Sequence, residues 1–213
     1  MNNHSEHKIR EPVKLEHRVI LDLIPSGSSV LDLGCGDGEL LYLLTSRNKV
    51  KGRGIEIDEH AIHQCISRGL SVSQQDIDCG LSEYGDKSFD YVILNQSLQQ
   101  VVKLDAVLKE TLRVGSEVII GFPNFAYYKG RLQIFFSGRT PVTPSLPHMW
   151  YDTPNLHFLS ISDFMEYCCK RNFQIKKAIF LDGNRIIELF PNLFAQIGVF
   201  LVKNGTAKGG SEE

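Results

Sequence analysis

The chain has 213 residues, 42 % of them apolar and 23 % charged, which suits one globular domain with a large buried core. A formal net charge of −2 gives no electrostatic ground for nucleic acid or an anionic membrane as the main partner, and no apolar run reaches the length of a spanning helix. The five cysteines (Cys35, Cys65, Cys79, Cys168, Cys169) are odd in number and lack CxxC spacing, so they read as reduced thiols of a cytoplasmic protein, with no metal site.

Residues 1–12 are polar and charged, and are expected to form a flexible arm that is neither signal peptide nor anchor. Residues 13–203 are expected to form a single domain, and 204–213 a disordered tail. Val13 to Ile24 carries apolar residues at helical spacing and stops at Pro25-Ser26-Gly27. Val30 to Leu33 is a branched, apolar strand. It runs into Gly34-Cys35-Gly36-Asp37-Gly38, and Leu40, Leu41, Leu43 and Leu44 then give the next helix its inner face. Further on, strands are predicted at Val50 to Ile57, Leu70 to Ser73, Phe89 to Leu94 and Val118 to Gly121. Helices follow Asp58 and cover Leu104 to Leu112, with a turn at Gly115. Strand–helix alternation of this kind predicts a mainly parallel sheet covered on both faces, with any ligand at the carboxyl ends of the strands. The glycine loop, Glu56, Asp76 and Asn95 all fall just past strand ends and should converge on one rim.

After Gly121 the alternation breaks. Residues 122–160 hold five prolines and many aromatics, read as a lid insertion with one helix over Tyr127 to Phe136. Ser162 to Arg171 reads as a helix, and Ile175 to Leu181 and Ile197 to Val202 as the last two strands.

The glycine spacing selects a ligand class. Dinucleotide sites need G-x-G-x-x-G, whereas here the third glycine comes one residue early, and no Gly-Lys-Ser/Thr follows for a phosphate loop. Asp32 and Asp37 flank the loop with negative charge, which suits a cationic amine better than phosphate. The favoured ligand has a ribose and no phosphate.

From Val30 to Gly121 the chain resembles the class I S-adenosylmethionine-dependent methyltransferases. The resemblance implies a Rossmann-like α/β fold with a mainly parallel seven-stranded sheet, and S-adenosyl-L-methionine or S-adenosyl-L-homocysteine as ligand. It further implies that Asp32, Gly34, Cys35, Gly36 and Gly38 form the cradle and that Glu56, followed by Ile57, holds the ribose hydroxyls. Asp76 and Ile77 would then meet the adenine, and Asn95 would lie close to the reacting methyl. Catalytic markers are sparse. Asn95-Gln96-Ser97-Leu98 replaces the Asn/Asp-Pro-Pro-aromatic signature, and Gln99-Gln100 stands where small-molecule enzymes often carry Glu-His. Asn95, His148 and His157 are the remaining catalytic candidates.

A narrower resemblance comes from Phe122-Pro123-Asn124-Phe125, Arg131-Leu132-Gln133, Gly138-Arg139-x-Pro141-Val142-Thr143 and Trp150-Tyr151-Asp152-Thr153-Pro154-Asn155-x-His157. These look like the MetW family of methionine-biosynthesis proteins, over about Val19 to Lys203. That resemblance implies a cytoplasmic protein working with homoserine O-acyltransferase. It leaves two functions in view: an accessory or regulatory subunit that binds the nucleoside, or an active methyltransferase on a small metabolite. Arg131, Arg139, Trp150 and Tyr151 are the expected contacts to a partner or substrate.

Overall fold

The computed structural model describes residues 13–205. In chain order its elements are α1 (Leu15–Leu23), β1 (Ser29–Leu33), α2 (Glu39–Arg47), β2 (Lys51–Glu56), α3 (Glu59–Ser67), β3 (Val72–Gln74), β4 (Phe89–Asn95), α4 (Leu104–Val114) and β5 (Gly115–Pro123). These are followed by α5 (Tyr128–Ser137), α6 (Ile161–Lys170), β6 (Phe173–Asp182), β7 (Arg185–Ile186), α7 (Pro191–Phe194) and β8 (Ile197–Asn204). Short 3-10 turns occupy Ile77–Cys79 and Leu98–Gln100.

All eight strands form one sheet in the order β3-β2-β1-β4-β5-β8-β6-β7. The first five are parallel to one another, while β8, β6 and β7 join through antiparallel pairings. The expected seven strands are therefore eight. The addition is the two-residue β7, which closes a hairpin through Gly183 and has no apolar run to announce it. Gly115 does not turn the chain. It opens β5 in extended conformation (φ −91°), because a Cβ there would lie 2.7 Å from Val92 Cγ2 in the neighbouring strand. Asn204, expected in the tail, ends β8 and donates from Nδ2 to Leu112 O at 3.2 Å. The proposed arm (1–12) and the tail beyond 205 lie outside the described residues.

Strand alternation splits the core in two. Leu31, Leu33, Val92, Leu94, Val118 and Ile120 face one way and pack with α4 and α6, while Val30, Ile93 and Ile119 face the other way and pack with α1 and α2. Each fully buried Leu or Ile contributes about 1.5–3 kcal/mol, so either face alone is a substantial core. Phe122, Phe164 and Phe200 stack in the first, with ring centroids 4.8–5.6 Å apart. Local signals set the helix starts. Asp58 accepts from Ala61 N at 2.7 Å at the head of α3, and Ser160 and Asp163 form a reciprocal capping box on α6. The fold thus places the carboxyl ends of β1 and β4 side by side where strand order reverses.

Candidate functional site: a strand-end cavity

A cavity of about 530 Å³ opens at that reversal. It is lined by the glycine loop and by groups from β1, β2 and β4, the turn after β3, and α1. Asp32, Gly34, Cys35, Gly36, Glu56, Ile57, Asp76, Ile77 and Asn95 all reach it; Gly38 sits behind, as the left-handed N-cap of α2. Gly34 has φ +72°, and a Cβ there would lie 2.8 Å from Ser97 Cβ, so a side chain would both strain the backbone and push the β4 turn away.

Glu56 organises the loop from the end of β2. Its Oε2 accepts from Gly36 N at 2.8 Å, and its Oε1 accepts from Ile57 N and Asp58 N at 2.8 and 3.0 Å. Three of the carboxylate's four lone-pair sites are thus taken by backbone amides, and the fourth, on Oε2, is free to accept from a ribose hydroxyl. Asp32 is almost wholly buried on the cavity floor. Desolvation first, and the negative Glu56 second, push its carboxyl up to about 7. The Cys35 thiol turns away towards β2 and α3, 3.9 Å from Cys65 Sγ, and burial followed by the nearby Asp32 charge raises its pKa, so it is an inert packing group. Asp76 caps the following turn by accepting from Asp78 N at 2.9 Å. Asp78 in turn holds the backbone at Val102 and Lys103.

Sequence reasoning missed the wall supplied by α1. Lys14 and His17, three residues apart, both line the cavity beside Glu39, at 3.3 and 3.7 Å from its Oε2. Burial holds the His17 imidazole below the usual histidine range, and its buried Nδ1 has no hydrogen-bond partner. Glu16 lies behind, with its pKa raised by burial, and accepts from Gln96 Nε2 at 2.8 Å. Gln96 has φ +60° in the turn after β4 and is held there by donating from its backbone N to Gly121 O at 2.8 Å. A polar pair at i, i+3 just before a glycine-loop strand is the signal that would have found Lys14 and His17. Asn95 Oδ1 is also buried without a partner. Acidic groups and orphaned buried acceptors together favour a ligand that is cationic and rich in donors.

The 122–160 segment contributes no lining residue to this cavity. His148 is exposed on a separate groove, and His157 bonds through Nε2 to Val101 O at 2.9 Å. Arg131 is tied to the backbone of Ala126 and Asn192, while Arg139 and Trp150 border a groove of about 430 Å³. Tyr151 stands against Trp150, edge to face at 5.7 Å. Among the described residues there is no cluster of three metal-ligating side chains and no helix long and apolar enough to cross a membrane.

The fold is that of the S-adenosylmethionine-dependent methyltransferases. A structure from Thermotoga maritima, described as a possible histamine N-methyltransferase, matches with TM-score 0.65 at 21 % identity, over 88 % of this chain and 86 % of its own. A methyltransferase from Archaeoglobus fulgidus matches with TM-score 0.65 at 19 % identity, over 90 % and 93 %. The family profile described as "Methionine biosynthesis protein MetW" matches residues 14–202, and the chain belongs to that family. A bifunctional methionine biosynthesis protein MetXA/MetW from Rhodopirellula baltica is 38 % identical over 200 residues, covering 88 % of this chain. The chain spans about a third (32 %) of that relative's length. The ubiquinone/menaquinone C-methyltransferase UbiE of Xylella fastidiosa is 31 % identical over 43 % of this chain and 39 % of its own.

Proposed function

We propose that the strand-end cavity binds S-adenosyl-L-methionine or S-adenosyl-L-homocysteine, and that the protein serves in the cytoplasm as an accessory, regulatory subunit of homoserine O-acyltransferase. The residues fit the nucleoside. Glu56 offers a carboxylate to a ribose, Asp76 and Ile77 line the cavity and suit the base, and Gly34 leaves the space a Cβ would fill. Asp32, on the cavity lining, is the acceptor for a cationic tail. When bound, S-adenosylmethionine supplies an activated methyl group.

The observation that carries the accessory reading is the seat of the 122–160 segment. It leaves the cavity open, yet it hangs on the cavity's own wall. Leu156 N and His157 N donate to Gln99 O at 2.8 and 3.0 Å, and His157 Nε2 meets Val101 O, while Gln100 and Val101 line the cavity. Nucleoside binding that shifts this turn would move the segment with it, giving the partner a measure of the methionine-derived cofactor. The fusion of MetXA and MetW in one relative supports association with the acyltransferase. The second reading, a small-metabolite methyltransferase, is favoured by one observation: His17, whose burial favours the neutral imidazole, lines the cavity and supplies a proton acceptor there.

One experiment separates the two. Homoserine acylation is measured with and without the chain over a range of S-adenosylmethionine, alongside formation of S-adenosylhomocysteine. The accessory reading expects the acylation rate to follow nucleoside level with no turnover. An acylation rate indifferent to the chain, or turnover dependent on an added metabolite, would overturn it.

A further inference from the structure

Six large apolar side chains have no cover among the described residues. Phe135 and Phe136 on α5, Trp150 and Tyr151 after it, and Leu189 and Phe190 before α7 are each 68–80 % exposed. The α5 segment touches each of the other two. At one end of α5, Ile134 and Arg139 share a groove with Trp150. At the other, Tyr128 packs on Phe194 (6.0 Å between centroids) and Arg131 donates to Asn192 O. Six such side chains offer roughly 800 Å² of apolar surface, beyond what a free monomer ordinarily exposes and close to one side of a stable interface.

Phe190 adds an independent mark. It sits in the left-handed region (φ +49°, ψ 53°) directly before Pro191, a conformation disfavoured for a side-chain-bearing residue and again for one preceding proline. Its ring is exposed, so the strain is repaid by no packing among the described residues.

We infer that this aromatic face, with Phe190 and Trp150 as anchors, is the surface on which the acyltransferase subunit docks. The inference rests on the accessory reading above and assigns that reading its contact surface. Two features select this occupant. The homologous sequence in Rhodopirellula baltica fills only 32 % of a chain that also carries MetXA, so the same surface there lies within tethering reach of the acyltransferase. The segments of the face carry Lys129, Arg131 and Arg139 against Asp152 and Glu188, a basic excess in a chain whose net charge is −2. That calls for a partner surface with an apolar centre and an acidic rim.

The test uses the purified full chain and its cognate homoserine O-acyltransferase, with affinity measured by calorimetry or interferometry. Phe190→Gly is the informative variant. Glycine accepts the left-handed backbone, so the thermal midpoint should hold or rise while partner affinity falls at least tenfold. Trp150→Ala/Tyr151→Ala should weaken binding similarly, and all variants should bind S-adenosylhomocysteine as the wild type does. Wild-type binding that none of the variants weakens would overturn the docking face and leave the accessory reading standing. No binding by the wild type would overturn both. Self-association of the wild type, abolished by these variants, would assign the face to a second copy and likewise overturn the inference.

Discussion

The strand-end cavity and the 122–160 segment share one short turn, Ser97 to Val101, and are built in opposite ways. The cavity is walled by buried polar groups whose geometry is over-determined. Glu56 fixes three backbone amides, Gly34 is pinned by Ser97, and Asp32 sits desolvated beneath. The segment is anchored at its start by buried Phe122, Asn124 and Tyr127, meets the cavity turn through Gln99 and Val101, and turns Phe135, Phe136, Trp150 and Tyr151 outward. The contrast teaches a division of labour. A site for a small ligand is preorganised by burial, whereas a site for a macromolecule carries its apolar surface in the open until the partner covers it.

The sharpest way to break the comparison is to strike the cavity and look for an effect on each side. Glu56→Ala removes the carboxylate that would accept from the ribose and frees the Gly36, Ile57 and Asp58 amides. Nucleoside affinity should fall roughly a hundredfold, about 3 kcal/mol, by calorimetry. Unchanged affinity would remove the cavity from the account.

Next come two left-handed glycines, one on each side. Gly34 (φ +72°) faces Ser97 Cβ, whereas Gly138 (φ +61°), ending α5, has nothing within 4 Å of its missing Cβ. Gly34→Ala should cost about 2–3 kcal/mol, and Gly138→Ala about 1 kcal/mol from backbone strain alone. Thermal midpoints should therefore fall in that order, and equal falls would deny the cavity its tighter construction.

Asp32 gives a pH signature confined to the cavity. Its folded-state pKa of about 7 lies above the unfolded value, so between roughly pH 4 and 7 the folded state holds the extra proton and stability declines as pH rises. A cationic ligand needs the ionised form. Affinity for S-adenosylmethionine should thus rise about tenfold per unit up to pH 7 and then level, an effect absent in Asp32→Asn. S-adenosylhomocysteine, without the sulfonium charge, should respond less. The smallest effect belongs to the segment: Phe135→Ser/Phe136→Ser should leave folding stability within about 0.5 kcal/mol, because both rings already lie in water.

The same contrast explains how much the sequence could reveal. The parallel half of the sheet and the gathering of Gly34, Glu56 and Asp76 at one cavity were legible because strand ends, glycine spacing and acids just past the strands leave local marks in the sequence. The α1 wall was not, since Lys14 at the cap and His17 in the first turn belong to an element whose periodicity announces only its apolar face; their facing the cavity depends on packing across the sheet. β7 escaped because two residues carry no period. The 122–160 segment was recognisable by its motifs, while its position beside the cavity rather than over it follows from hydrogen bonds at Gln99 and Val101 that no local pattern encodes. The Phe190 strain, likewise, lives in a backbone angle.

The central claim is that the cavity and the exposed face are two ends of one coupled device. The direct measurement is S-adenosylhomocysteine affinity of the chain alone and in complex with homoserine O-acyltransferase, with acyltransferase affinity measured with and without the nucleoside. The account predicts that the two ratios are equal and differ from one, by about five-fold or more, as linkage requires of coupled sites. Both ratios equal to one, with each ligand binding as if the other were absent, would contradict it.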